Sequence, residues 1–171
     1  MGFFDWLFGG GKQQNTIITV FSCMNSAAKQ EIFKGKLPQI DAKELYLQKG
    51  EVCHYADNAK LLDEKIIKKY TSTGYGSSAP GIIFSDIRHS YRKSFTDVQE
   101  EIKQELFEGK LFITNQRIVF VSGKKSFDQK HRTLSSVKPY SNAIELQYNN
   151  KFFCLFVPDG YVANDVLRLL Q

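Results

Sequence analysis

Two short apolar, β-branched runs joined by a polar tetrad make up the stretch Lys110-Leu-Phe-Ile-Thr-Asn-Gln-Arg-Ile-Val-Phe-Val-Ser-Gly123. Leu111, Phe112 and Ile113 precede Thr114-Asn115-Gln116-Arg117, and Ile118, Val119, Phe120 and Val121 follow it. Neither run carries helical punctuation, and an Asn at a turn position reverses the chain between them, so a buried β-hairpin is expected here. That expectation fixes the class of fold, and through it the kinds of function open to the chain.

The rest of the chain from about Ala42 reads in the same way. Short β segments are expected at Leu45 to Leu47, Glu51 to Tyr55, Lys65 to Thr71, Gly81 to Ile87, Ile102 to Phe107, Lys124 to Phe127, Ala143 to Tyr148 and Lys151 to Val157. Ile144, Leu146 and Tyr148 alternate onto one face, and Asn149-Asn150 turns into the next run, which makes a second hairpin. Beyond Pro158 and Asp159, Val162, Val166, Leu169 and Leu170 recur at helical spacing, with Asp165 and Arg168 left to face water. Fourteen Phe and eight Tyr suit pleated surfaces. Ser72 to Pro80 is a loop by composition.

The N-terminal quarter differs. Phe3, Phe4, Leu7 and Phe8 share a face if helical, with Trp6 at its border and Asp5 opposite, and Gly9-Gly10-Gly11 then breaks the segment. So short a helix does not hold in water alone, and the aromatics need a receiver: a membrane interface, a partner protein or the chain's own domain. A β-branched run from Thr16 to Phe21 suggests a strand. Asn25 or Ser26 caps a helix through Ala27 to Phe33, which Gly35 and Pro38 end and which is placed outside the sheet.

A net charge of +5 biases encounters toward anionic surfaces without choosing among them. Cys23, Cys53 and Cys154 are odd in number and widely spaced, which suggests neither a disulfide framework nor a zinc knuckle and makes a reducing cytoplasm the expected home. Cys53 beside His54 would need two further ligands to hold a metal. No run reaches the roughly 20 apolar residues of a membrane-spanning helix, and Met1 to Phe8 lacks the basic start of a secretory signal.

Leu45-x-Leu47 with Gly50-Glu51 and Tyr55, then Gly74-Tyr75-Gly76, then Gly109-x-Leu111-x-Ile113-Thr114-Asn115-x-Arg117-Ile118-Val119-Phe120, resembles GRAM-like and bacterial PH-like domains over roughly residues 42–171. The resemblance implies a PH-like barrel of two nearly orthogonal antiparallel sheets capped by a C-terminal helix, used to bind phosphoinositides, other lipids or protein segments. The expected organisation is an aromatic peptide and glycine hinge at 1–12, a helical extension at 13–41 and the PH/GRAM-like domain at 42–171.

No enzymatic signature is present: Gly-x-Ser-x-Gly, His-Glu-x-x-His and the phosphate-binding Gly-x-x-x-x-Gly-Lys-Ser/Thr are all missing, and His54, His89 and His131 are scattered. The chain is expected to be a non-enzymatic binding module without metal or cofactor. Arg88, Arg92 and Lys93 form one basic cluster and Lys124 and Lys125 begin another, which would attract anionic lipid headgroups. Phe3, Phe4, Trp6, Leu7 and Phe8 would supply apolar insertion at the membrane or into a partner, so the expected site of action is the cytoplasmic face of a membrane. The alternative is a protein-interaction or self-association module using the aromatic peptide or a sheet edge. Nucleic acid fits less well, because Tyr91 between Arg88 and Arg92 is a lone aromatic-cation triplet.

Overall fold

A computed structural model describes residues 18–72 and 96–171, with side chains over 18–64 and 104–171. Helix α1 (Ser26–Phe33) precedes strands β1 (Cys53–Ser72), β2 (Thr96–Thr114), β3 (Arg117–Ser122) and β4 (Phe127–Lys130). A single 3-10 turn (His131–Thr133) leads to β5 (Leu134–Pro139), β6 (Ala143–Tyr148), β7 (Lys151–Phe156) and helix α2 (Gly160–Leu169). The chain divides into two compact units, one running to Asp63 and resuming at Leu106, the other Glu64–Glu105. The second contains the far part of β1 and the beginning of β2, where Gln104 Nε2 donates to Glu64 Oε1 at 2.7 Å.

The described strands lie in the order β4-β3-β2-β1-β7-β6-β5, and β1–β7, β2–β3, β3–β4, β5–β6 and β6–β7 pair antiparallel. Four strands run back and forth, three more do the same, and β7 returns to pair with β1 through Lys60–Phe156, Leu61–Leu155 and Leu62–Cys154. With a C-terminal helix over the core, this is a PH-like fold. The sheet stays open, with β4 and β5 as its edges, so the two expected sheets are halves of one hydrogen-bonded row and the barrel is not closed.

That row is strongly curled. In a flat sheet, β4 and β7 would be four strand spacings, or about 19 Å, apart. The rings of Phe127 on β4 and Phe153 on β7 nevertheless stack with centroids 4.1 Å apart. Curling lets Leu111, Ile113, Ile118 and Phe120 from one half share a core with Ile144, Leu146, Tyr148 and Leu155 from the other. Val162, Ala163, Val166 and Leu167 of α2 cover it, and Ile32 of α1 joins the same core. The expected helical face holds at Val162, Val166 and Leu170, which packs against the same core; Ala163 and Leu167 widen it, while Leu169 is exposed.

The outer face of the sheet is also covered. Residues 40–47 lay Ile40, Ala42, Leu45 and Leu47 over Cys53, Phe112 and Val119, and Ile18 and Val20 lie over Ala143, Cys154 and Phe156. This is why the hairpin reads as unbroken apolar runs, since strands buried on both faces lose their alternation.

Several local expectations hold. Asn25 Oδ1 accepts from Ala27 N at 3.0 Å to start α1, Gly35 follows its end at φ +73°, and Asn149 sits at φ +48° in the β6–β7 turn. Others change. Residues 45–47 form no strand, and neither do 18–21; both stretches instead act as covers. Glu51 to Tyr55 and Lys65 to Thr71 fall on one continuous β1, which starts only at Cys53. Strand β4 begins at Phe127, where Lys124 to Phe127 was the expected strand, because the ladder starts with the Phe120–Phe127 pair. Gly81 to Ile87 lies outside the described residues.

Candidate functional site

The polar tetrad of the β2–β3 hairpin performs a structural task that its sequence does not announce. Arg117 Nε donates to Glu51 Oε1 at 2.8 Å, and its Nη2 donates to Glu51 Oε2 at 3.1 Å and to the Tyr46 carbonyl at 2.8 Å. Its Nη1 donates to Asp128 of β4. The Thr114 hydroxyl donates to Glu51 Oε1 at 2.7 Å, and the Gln48 amide to Oε2 at 2.7 Å. Asn115 completes the lock: its Oδ1 accepts from Val52 N at 2.9 Å, and its Nδ2 donates to the Gly50 carbonyl at 3.0 Å.

The Glu51 side chain is 0% exposed. Burial alone would raise its carboxyl, but the Arg117 guanidinium, the Gln48 amide and the Thr114 hydroxyl outweigh that and hold it below its ordinary range. The Glu51 bond correspondingly raises Arg117. A planar fork on a carboxylate gives direction as well as charge, so the 46–52 loop, the β2–β3 turn and β4 are tied into one piece. His131 Nε2 lies 2.6 Å from the Thr114 carbonyl, which can only accept, so this nitrogen carries the proton and fastens the exit of β4 to the same end.

Charge is concentrated on the segment that carries β4, with Lys124 and Lys125 before the strand and Lys130 and Arg132 at its other end. From Lys124 to Arg132 the chain has four cations, Lys124, Lys125, Lys130 and Arg132, against the single anion Asp128. Asp128 is taken by Arg117, and Lys125 pairs with Asp63 while lying 5.8 Å over the Phe107 ring. Lys124, Lys130 and Arg132 are exposed, and none has an acidic partner among the described residues.

Of the sequence-predicted site residues, Lys124 and Lys125 are neighbours in the β3–β4 connection, yet only Lys124 is free to meet a ligand without breaking an internal pair. Arg88, Arg92 and Lys93 lie outside the described residues, as do Phe3, Phe4, Trp6, Leu7 and Phe8. In the sequence Lys130 and Arg132 are only part of a charge run; their place at the end of an edge strand and in the turn after it is what distinguishes them. In the sequence Arg117 is part of a turn, and nothing there points to Glu51, 66 positions away, as its partner.

Cys53 and His54 are adjacent on β1, and adjacent strand residues point to opposite faces. Cys53 Sγ donates to the Tyr55 carbonyl at 3.2 Å and burial pushes its thiol up to about 11, while His54 Nδ1 lies 2.7 Å from the Pro38 carbonyl. Among the described residues no three His, Cys, Asp or Glu side chains gather as a metal centre requires. No described helix is long and apolar enough to cross a membrane.

No protein-family model and no curated protein matches this chain. Among solved structures it is similar to a Vps36 N-terminal PH domain, at 17% sequence identity and a TM-score of 0.40, over 73% of this chain and 83% of that one.

Proposed function

We propose that this chain is a non-enzymatic binding module of the GRAM-like or bacterial PH-like kind that attaches to anionic membrane surfaces along its β4 edge. The observation that carries this reading is the exposed set of Lys124 before the edge strand β4, Lys130 at its end and Arg132 in the turn after it, with the strand's own acid already neutralised. Cations so placed meet phosphate-bearing headgroups at little desolvation cost, and each adds about 1 kcal/mol near an anionic leaflet. Arg88, Arg92 and Lys93 would add to the same attraction, and Phe3, Phe4, Trp6, Leu7 and Phe8 would supply the apolar component, two weak contacts joined in one chain.

Co-sedimentation with vesicles tests the reading. Binding should require anionic lipid, fall with salt, and weaken about fivefold for each of Lys124→Glu, Lys130→Glu and Arg132→Glu. Equal binding to anionic and neutral vesicles, unchanged on deleting residues 1–11, would overturn it.

A second reading, a protein-docking module, is favoured by one feature. A shallow cleft of about 280 Å³ between α1 and α2 is lined by Ile32, Phe33, Gly35, Asp165, Arg168 and Leu169, with the Phe33 ring largely exposed. Its signature is salt-insensitive association that Phe33→Ser abolishes.

A further inference from the structure

We propose that Tyr46 is an interfacial anchor, seating its ring at the headgroup boundary of an anionic bilayer while Lys49, Lys130 and Arg132 take the surrounding phosphates. This rests on the membrane-surface reading above and adds which face of the molecule meets the lipid. Tyr46 is the most exposed of the large hydrophobic side chains described, at 90%. Its neighbours Leu45 and Leu47 pack down onto the outer face of the sheet, so the ring between them is directed away from it.

The exposure is held in place by the backbone. Arg117 Nη2 grips the Tyr46 carbonyl at 2.8 Å, Leu45 N donates to the Ala42 carbonyl at 3.0 Å, and Glu51 N donates to the Gln48 carbonyl at 3.0 Å. Gln116 Nε2 reaches the Lys49 carbonyl at 3.3 Å. A ring presented on a loop fixed at so many points loses little conformational entropy on insertion, which is what an anchor needs and an ordinary surface tyrosine lacks.

The surrounding charge points to the same ligand. Four acids lie in the loop or on its contacts, and each is matched: Asp41 with Lys43 at 3.8 Å, Glu44 with Lys110, and Glu51 and Asp128 with Arg117. Lys49 is exposed on the same loop, and Lys130 is the ladder partner of Arg117, so both of their side chains leave the same face of the sheet. Arg132 follows two positions on. An aromatic ring with an apolar body and a polar hydroxyl, with an unpaired cation on its own loop and others at the strand end that Arg117 ties to that loop, suits the layer where acyl chains meet phosphate.

Trp6 is the chain's only tryptophan, so the full-length Trp6→Phe/Tyr46→Trp variant carries one reporter, at position 46. On phosphatidylcholine vesicles containing phosphatidylserine its emission should shift to the blue, be quenched by brominated acyl chains and be shielded from aqueous iodide. Pure phosphatidylcholine should do none of this, and adding Lys49→Glu with Lys130→Glu should weaken the response at least tenfold, since each cation near the surface is worth about fivefold. Sedimentation of the variant with anionic vesicles while its emission and iodide access stay unchanged overturns the anchor and leaves the module reading standing. Failure of the unaltered chain to bind anionic vesicles overturns both.

Discussion

Replacing Arg117 with alanine is the most direct test of the lock that holds the 46–52 loop to the hairpin. The substitution removes four hydrogen bonds, two to Glu51 and one each to the Tyr46 carbonyl and Asp128. It also strands a carboxylate with no exposed surface on Thr114 and the Gln48 amide alone. Breaking a buried pair from one side costs about 3–5 kcal/mol, a large fraction of the roughly 5–15 kcal/mol that holds a domain together. For a chain of this size that corresponds to a fall in Tm of about 10 °C. Urea unfolding followed by circular dichroism gives the free energy. Arg117→Ala/Glu51→Gln should recover part of the loss, because the second change removes the stranded charge. The pH dependence supplies an independent arm. Since the folded Glu51 carboxyl titrates below its unfolded value of about 4.3, its contribution is complete above that pH and disappears as pH falls through the folded value. Glu51→Gln should remove this portion of the acid sensitivity. An Arg117→Ala protein within 1 kcal/mol of the original, or a double variant whose loss is the plain sum of the two singles, would refute the reasoning.

Three further outcomes are expected. Gly160 opens α2 so close to the β5–β6 connection that a Cβ would lie 1.9 Å from the Ala143 carbonyl oxygen and 2.4 Å from that of Tyr140, so Gly160→Ala should cost at least about 2 kcal/mol in urea unfolding. Asp159 Oδ1 accepts from Tyr161 N at 2.9 Å and Val162 N at 3.3 Å, and Asp159→Ala should cost about 1 kcal/mol, with Asp159→Asn recovering most of it. Of the three thiols, Cys23 is exposed while Cys53 and Cys154 are buried, so a water-soluble thiol reagent should label Cys23 alone in the native protein and all three in urea. That labelling should be slow at neutral pH, because partial desolvation of the sulfur and the neighbouring Asp57 raise the Cys23 thiol.

The elements that were legible in the sequence are those whose signal is local. The 111–121 hairpin, the Asn149-Asn150 turn, the Asn25 cap and the terminal helix each declare themselves within a few residues. Strand β5 did not, because Leu134–Pro139 pairs with β6 through a register shift between Leu134 and Ser136, which erases the alternation. The full length of β1 was hidden by polar residues such as Asp57, whose carboxylate is buried on Ser22 Oγ and Cys23 N, both at 2.6 Å. Leu45 to Leu47 reads as a strand because it is apolar at alternate positions, yet the two leucines serve to cover the sheet. At the candidate site the cations were visible as letters. Which of them are already engaged, as Lys125 is with Asp63, depends on contacts between residues far apart in the chain.

Strand β1 borders β2 on one side and β7 on the other, and the β7 partners of residues 60–62 are residues 154–156. A ribosome delivers those partners only after β2 to β6 have been made. Until then the nascent chain holds β1 with one row of amides bare, and Phe127 lacks the Phe153 ring on one of its faces. A product cut short before Phe153 would therefore keep an adhesive margin permanently, and cellular quality control should clear it far faster than a full-length copy carrying any single surface substitution.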